Sequence, residues 1–216
     1  MKLKKTLLKK SALYVIADNR TAGKRNITGI INKIKKSGVD IIQYRDKGST
    51  RAKVIKNAFI FKKALADTDI IFIINDHLDV AKIVDSDGVH LGQEDIPIEI
   101  ARRVLGKDKI IGISCHNLKQ AFDAQVRGAD YIGFGPVFAT PTKPQYRPIG
   151  TGLINKLKKK IRIPFFLIGG IDQDNLTALS LKGVTRAAVC RAVIQANDPA
   201  QASEYLRKIL HKCPLN

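Results

Sequence analysis

The chain has 216 residues and a formal charge of +19 at pH 7, from 38 Lys and Arg against 19 Asp and Glu. Hydrophobic residues make up 44% of the chain, enough for a sizeable core, and no apolar stretch reaches the roughly 18 residues of a membrane helix. We therefore expect no membrane partner. We also expect one domain, because no Gly/Ser-rich linker divides the sequence.

The basic charge does not by itself indicate nucleic acid. Lysines concentrate at 33–36, 53–63 and 156–160, in segments with helical patterns, and aromatic residues, 6% of the chain, are not interleaved with them. Solvated helix faces explain these lysines, so we expect no nucleic-acid partner. A positive field would instead favour the capture of small anionic substrates.

The cysteines and the N-terminus indicate a cellular compartment. Cys115, Cys190 and Cys213 are odd in number and lack CxxC spacing, so neither a disulfide framework nor a zinc site is expected. This fits a reducing cytoplasm. Residues 1–10 are basic and an apolar segment follows, but Asp18 and Arg20 come directly after it instead of a cleavage site. We expect a basic leader over residues 1–12 and a catalytic domain over 13–216.

Strand-length apolar runs alternate with helical patterns along the chain. The runs occur at 13–17, 41–42, 70–74, 88–91, 110–113, 131–137, 165–168 and 186–189. Helical spacing is found between them, for example at 51–66, 78–84, 118–126 and 174–181. Eight consecutive βα units predict a single (β/α)8 TIM barrel of the α/β class. An open doubly wound sheet is the alternative.

The second strand ends with three polar residues at spacing two. Gln43, Arg45 and Lys47 project from one face of an extended strand. Unpaired charges are costly in a core, and a guanidinium with an ammonium suits a pyrophosphate. The pattern predicts an anion site, with a solvated basic strand end as the alternative.

Carboxylates follow the next two strands. Asp76 comes after the third strand and Asp95 after the fourth, so both side chains are expected at the carboxyl end of the barrel. Two carboxylates from adjacent strands suit a Mg²⁺ ion that keeps water and binds substrate phosphate. The alternative is that each Asp is an ordinary helix N-cap.

The remaining strand ends are also polar or rich in glycine. Gly169-Gly170 follows the seventh strand and Cys190-Arg191 the eighth, where this fold commonly binds phosphate through backbone N–H groups. Gly133-Phe134-Gly135 lacks the third glycine of a dinucleotide fingerprint. His90 and His116 have no metal-ligand spacing, so we expect them to pack or to support other residues.

Together these segments resemble the thiamine-phosphate synthase family over about residues 13–199. The resemblance is carried by Gln43-Tyr44-Arg45-Asp46-Lys47, Ile74-Asn75-Asp76, the run from Asp87 to Asp95, the run from Gly133 to Lys143, and Ile168-Gly169-Gly170-Ile171. It implies that hydroxymethylpyrimidine pyrophosphate is joined to hydroxyethylthiazole phosphate, with release of pyrophosphate and with Mg²⁺ as cofactor.

The resemblance also implies roles for residues. The pyrimidine and its pyrophosphate would be held by Gln43, Arg45, Lys47, Asn75, Ser114 and Lys143. Mg²⁺ would be held by Asp76 and Asp95. The thiazole phosphate would be held by Thr140, Thr142, Gly170 and the backbone of Cys190 and Arg191. Arg45, Lys47, Lys143 and Ser114 would act in catalysis.

The sequence departs from the family pattern at three places. Tyr44 stands where Leu is commoner, and we expect it on the other face of the strand. Cys190-Arg191 stands where the family often has an aliphatic residue and Ser, and residues 145–147 are unusual. If the phosphate contacts at 190–191 are made by backbone N–H groups, that change has little effect.

Three other functions remain open from the sequence. A Schiff-base enzyme would use Lys143, but a lysine in a Thr-Pro-Thr-Lys-Pro loop is expected to be exposed and protonated. A thiazole tautomerase of the same fold would have a His where this chain has Pro136. A non-catalytic thiamine-precursor binding or regulatory protein would bind without turnover. A homo-oligomer is possible.

Overall fold

Eight parallel strands close into a barrel in the computed structural model, which describes residues 2–142 and 146–211. The strands follow chain order, and β8 pairs with β1. They are β1 Leu13–Asp18, β2 Ile41–Arg45, β3 Ile71–Asn75, β4 Gly88–Leu91, β5 Ile110–Cys115, β6 Tyr131–Phe134, β7 Phe165–Ile168 and β8 Ala187–Val189. The closed barrel confirms the predicted fold, and the open sheet is wrong.

Helices surround the barrel. They are α1 Lys2–Lys10, α2 Asn19–Ala22, α3 Ile27–Ile34, α4 Arg51–Ala64, α5 Leu78–Ile83, α6 Ile98–Leu105, α7 Leu118–Val126, α8 Ile154–Lys160, α9 Gln173–Leu181, α10 Arg191–Ile194 and α11 Pro199–His211. Polar side chains start several of them, as where Asp172 and Asn175 form a capping box on α9. Over the described residues, none of the helices has the length and apolar character needed to cross a membrane.

Several strand boundaries differ from the apolar pattern, and those of β6 and β1 bear on the site. The sixth strand was expected over 131–137 but ends at Phe134, because the next residues are Gly135 and Pro136 and a proline donates no ladder hydrogen bond. The first strand extends to Asp18, which pairs in register with Arg45 of β2. Asp18 therefore continues β1 beyond its apolar run, whereas Gly135 and Pro136 end β6 within its expected run.

The strands separate two buried clusters. One lies between the barrel and its helices. The other fills the barrel with side chains from seven strands and one helix, namely Leu8, Tyr14, Ile41, Ile71, Ile73, Ile110, Tyr131, Phe166 and Ala188. The barrel is therefore a packed core with its open end above this layer.

The expected basic leader contains helix α1, which lies against the N-terminal end of the barrel. Leu8 is only 2% exposed and belongs to the cluster inside the barrel. Lys5 Nζ lies 2.7 Å from Asp130 Oδ1, and Lys4 Nζ donates to the carbonyl of Ile70 over 2.8 Å. The helix thus covers the end of the barrel opposite the polar strand ends.

We expect Leu8→Ala to lower the free energy of unfolding by about 3 kcal/mol, because it leaves a cavity beneath the barrel core. Lys9→Ala, on the exposed side of the same helix, serves as the control and should cost about 0.5 kcal/mol or less. Urea titration of both variants measures the difference. Equal stabilities would mean that α1 does not support the barrel.

Candidate active site

A pocket lies at the carboxyl end of the barrel, and all eight strands contribute to its walls. One residue from each strand, in chain order, is Ile16, Gln43, Asn75, His90, Ser114, Gly133, Ile168 and Ala188. Loops beyond the strands complete it. Chemistry in this fold takes place at this end, so the pocket is the candidate active site.

The structure brings most of the predicted site residues together. Nine of them line this pocket: Gln43, Arg45, Asn75, Ser114, Thr140, Thr142, Gly170, Cys190 and Arg191. The other three described ones, Lys47, Asp76 and Asp95, line a second opening. Lys143 lies outside the described residues. The two openings adjoin, since Asn75 and Asp76 are consecutive.

Gln43 and Arg45 are each held by a buried partner on β1. Gln43 is 2% exposed, and its Nε2 donates to the Tyr14 hydroxyl over 2.6 Å. Arg45 forms an ion pair with Asp18, which also accepts from the Thr21 amide over 2.7 Å at the start of α2. Asp18 therefore fixes the guanidinium at the wall of the pocket.

The loop after β2 is ordered by Asp46. Its carboxylate accepts from the amides of Gly48 and Ser49 over 3.2 and 3.1 Å and from the Tyr44 hydroxyl over 3.0 Å. Burial alone would raise the pKa of Asp46, but these hydrogen bonds outweigh it and lower that pKa. The ring of Tyr44 packs on Phe61 of α4, which confirms that it faces away from Gln43.

Lys47 and the two predicted metal ligands form a compact charged group. Lys47 Nζ lies 2.9 Å from Asp76 Oδ2, and the carboxyl groups of Asp76 and Asp95 lie close enough to affect each other's pKa. Burial would raise the pKa of Asp76, but Lys47 outweighs burial and lowers it. Burial and the adjacent Asp76 carboxylate raise the pKa of Asp95.

Neither aspartate is a helix cap. The N-cap of α5 is His77 and that of α6 is Pro97. Asp76 has a φ of 59°, a left-handed conformation that is uncommon for residues other than glycine. Within residues 2–142 and 146–211, no group of three His, Cys, Asp or Glu side chains could hold a metal. Two carboxylates alone fit a Mg²⁺ ion that keeps several waters.

The loops after β6, β7 and β8 form the far wall of the pocket. Gly170 has a φ of 65°, and a Cβ there would lie 2.6 Å from the Ala139 carbonyl, so only glycine fits. The Cys190 side chain is partly buried and its thiol lies beside Thr21, and burial raises the pKa of the thiol to about 11. This thiol is therefore neutral and turned toward α2.

The two histidines make supporting contacts. His90 lies with Nδ1 2.9 Å from the Tyr131 hydroxyl and Nε2 3.0 Å from Ser114 Oγ. His116 Nδ1 lies 2.6 Å from the Gly135 carbonyl, and its ring stacks on Tyr146 at 4.3 Å. Both histidines thus contact residues that support the site, and both rings also line the pocket.

Sequence reasoning missed three residues that hold the site together. They are Tyr14 and Asp18 on β1 and Tyr131 on β6. A signal was present, because Tyr14, Ile16 and Asp18 alternate along one strand and so share a face. That face carries a polar residue at each end, which marks the side of β1 that meets the pocket.

The fold and the site define a (β/α)8-barrel enzyme with a cation-lined pocket and an adjoining carboxylate pair. The family model described as thiamine monophosphate synthase matches residues 13–193. The chain therefore belongs to the thiamine monophosphate synthase family, and the resemblance read from its motifs is confirmed.

Individual relatives agree with this membership. The thiamine-phosphate synthase of Shouchella clausii is 41% identical over 200 residues, which cover 92% of this chain and 96% of that protein. The thiamine-phosphate synthase of Halalkalibacterium halodurans is 40% identical, with 93% and 95% covered. The solved thiamine phosphate pyrophosphorylase from Pyrococcus furiosus superposes with a TM-score of 0.87 at 36% identity, covering 96% of this chain and 98% of its own.

We expect Asp18→Asn to lower the free energy of unfolding by about 3 kcal/mol, because it leaves the largely buried Arg45 guanidinium without its counter-charge. Asn still caps α2, so the change isolates the charge. Asp79→Asn is the control, since Asp79 and its partner Arg51 are both half exposed and such pairs contribute below ~1 kcal/mol. A similar loss in both variants, measured by urea titration, would contradict this role of Asp18.

Proposed function

We propose that this protein is an active thiamine-phosphate synthase. It joins 4-amino-2-methyl-5-hydroxymethylpyrimidine pyrophosphate to hydroxyethylthiazole phosphate and releases pyrophosphate. The observation that carries the proposal is the single pocket lined by nine of the residues that the motifs select, beside the Lys47, Asp76 and Asp95 group. Family membership supplies the reaction, and the geometry supports the assignment of residues to its parts.

The pyrimidine ring is assigned to the floor of the pocket. Gln43, Asn75 and Ser114 lie there on β2, β3 and β5 and offer amide and hydroxyl groups to ring nitrogens and an amino substituent. Gln43 and Asn75 are buried, at 2% and 8% exposure. A ligand bound among them replaces water around buried polar groups, which favours one orientation of the ring.

The pyrophosphate is assigned to the space between the cations. Arg45 reaches it from the pocket wall and Lys47 from the adjoining opening. Both are already paired with a carboxylate, and the largely buried Arg45 is fixed in this way before the leaving group arrives. Fixed cations that meet developing negative charge commonly supply a large part of catalysis. Lys143 is assigned to the same task from the family motif.

The Mg²⁺ ion is assigned to Asp76 and Asp95. Their carboxyl groups come from adjacent strand ends and lie close together, and a divalent cation would offset the burial and the mutual repulsion that raise the pKa of Asp95. Such an ion supplies charge neutralisation for the departing pyrophosphate. Lys47 lies against Asp76, so it reaches the same oxygens of the leaving group.

The thiazole phosphate is assigned to the far wall. Thr140, Thr142, Gly170 and the 190–191 backbone lie there. Because the Cys190 thiol is turned toward Thr21, the backbone N–H groups are the part of this segment left for a phosphate. The unusual Cys190-Arg191 pair is therefore compatible with phosphate binding.

The reaction needs no protein nucleophile. The bond between the pyrimidine methylene carbon and the pyrophosphate oxygen breaks, and the electron-rich aminopyrimidine stabilises the methylene cation. The thiazole nitrogen then forms the new bond. The protein holds both rings, excludes water from the cation and neutralises the leaving group.

We expect pyrophosphate to be released only when both substrates and Mg²⁺ are present. A coupled pyrophosphate assay with each component omitted in turn checks this, alongside an assay of thiazole tautomer interconversion. Tautomerisation should be negligible, because Pro136 offers no proton-transferring group. Fast tautomerisation without pyrophosphate release would instead identify a tautomerase, and tight binding without either activity would identify a binding protein.

We expect Asp76→Asn and Asp95→Asn each to lower turnover by at least ~100-fold at limiting Mg²⁺, the size of effect of losing one preorganised charge-stabilising group. Asn keeps the left-handed backbone at position 76, so the fold should persist. Asp79→Asn, an exposed aspartate on α5, is the control and should leave turnover unchanged. Wild-type turnover in either site variant would remove the metal assignment.

A further inference from the structure

Five polar side chains form one continuous hydrogen-bonded chain across the barrel. Gln43 Nε2 donates to the Tyr14 hydroxyl over 2.6 Å, and the hydroxyls of Tyr14 and Tyr131 lie 2.8 Å apart. The Tyr131 hydroxyl lies 2.9 Å from His90 Nδ1, and His90 Nε2 lies 3.0 Å from Ser114 Oγ. We call this set the Gln43–Ser114 chain, because these two residues of the pocket form its ends.

The two tyrosines have one proton each to donate. Both are fully buried, and burial raises the pKa of each phenol far above its ordinary value, so both stay neutral. Tyr14 accepts from Gln43, and within the described part of the protein the other hydrogen-bond partner of its hydroxyl is Tyr131. The Tyr14 proton is therefore donated to Tyr131.

The direction of every later bond follows from the first. Tyr131, which accepts from Tyr14, donates its own proton to His90 Nδ1. A neutral imidazole that accepts at Nδ1 carries its proton on Nε2. His90 then donates from Nε2 to Ser114 Oγ, and the Ser114 proton is left to point into the pocket.

The donor or acceptor role at one end of the Gln43–Ser114 chain therefore fixes the role at the other end, and we call this linkage the polarity of the chain. Gln43 uses an N–H on Tyr14 and keeps its Oε1 as an acceptor for a ligand, while Ser114 is a donor. Inverting the Gln43 amide would reverse all four hydrogen bonds and would make Ser114 an acceptor. A ligand that matches one end must match the other.

The neighbouring strands leave room for this chain. Gly112 on β5 pairs in register with Tyr131, and a Cβ there would lie 2.0 Å from the tyrosine Cζ. Any larger residue at 112 would displace the ring. Gly112 is thus required by the close approach of Tyr131. A glycine within a strand costs backbone entropy on folding, but here it leaves room for the tyrosine of the Gln43–Ser114 chain.

We propose that Tyr14, Tyr131 and His90 are positioning residues that set this polarity, so that the pocket selects a ligand with a hydrogen-bond donor at Gln43 and an acceptor at Ser114. This inference rests on the proposed function, in which the pyrimidine amino group is the donor and a ring nitrogen or pyrophosphate oxygen is the acceptor. None of the three residues is required to transfer a proton to substrate.

The first arm of the test uses the full-length protein without any ligand. Nitrogen-15 NMR of labelled histidine, with His90→Gln to assign the resonance, should show His90 protonated at Nε2 and hydrogen-bonded at Nδ1. In Tyr131→Phe the Nδ1 resonance should move to a position without a hydrogen bond. Tyr44→Phe, which removes an equally buried hydroxyl outside the chain, should leave it in place.

The second arm measures binding of two pyrimidine pyrophosphates that differ at one position. One carries the 4-amino group and the other a 4-oxo group, so the donor at position 4 becomes an acceptor, and a ring nitrogen that accepted becomes a donor. The wild type and Tyr44→Phe should prefer the amino compound. In Tyr131→Phe this preference should fall roughly 10-fold or more, because the Gln43 amide is then free to invert.

The outcomes separate the inference from the proposed function. A His90 proton on Nδ1, an unmoved Nδ1 resonance in Tyr131→Phe, or an unchanged binding preference overturns the inference even if turnover is normal. Failure of the wild type to bind either pyrimidine compound overturns the proposed function, and the NMR arm then decides the inference alone. Unfolding of Tyr131→Phe while Tyr44→Phe folds would assign Tyr131 a structural role and overturn it as well.

Discussion

Alternation along short parallel strands is the constraint on which this structure depends. Every second side chain of each strand points into the barrel, so the same strands must fill the lower layer and supply the chemistry above it. On β2, Ile41 packs in the barrel cluster and Gln43 two residues later lies at the pocket. Two such steps take β5 from Ile110 in the core to Ser114 at the site, and a register shift of one residue would lose both.

The two cations of the site are each stabilised beside the barrel core by an ion pair with an aspartate. Arg45 and Lys47 follow an apolar strand, where unpaired charges are costly. Each is held by an aspartate from a neighbouring strand end, Asp18 for Arg45 and Asp76 for Lys47. An anionic ligand therefore meets a site whose positive groups are already oriented, and it adds to existing ion pairs instead of ordering free side chains.

Much of the fold and many of the residues of the site could be predicted from sequence, but the contacts that hold those residues in place could not. Apolar runs located all eight strands, and polar or glycine-rich strand ends selected Gln43, Arg45, Gly170 and the 190–191 segment of the pocket, because both patterns are local. The other pocket residues, Asn75, Ser114, Thr140 and Thr142, came from the family resemblance. The pairings between distant residues left no such pattern, although alternation along β1 did place Tyr14 and Asp18 on one face. Asp18 looked like a strand boundary, although it closes an ion pair with Arg45, 27 positions away. The division between the Gln43 pocket and the Asp76 opening also depends on the path of the loop that Asp46 orders, which composition does not reveal.

The tyrosines inside the barrel show why a polar layer can lie directly on an apolar one. The rings of Tyr14 and Tyr131 meet Phe166 edge to face, at 5.3 and 5.7 Å between centroids, and so belong to the core. Their hydroxyls belong to the polar chain above. An aliphatic residue at either position would fill the core but remove the hydroxyl that Gln43 Nε2 or His90 Nδ1 contacts, whereas a shorter polar residue would leave a cavity. A tyrosine meets both requirements at once, because its ring packs in the core and its hydroxyl reaches the polar layer. The packing of the two rings therefore fixes the hydroxyls that orient Gln43 and His90.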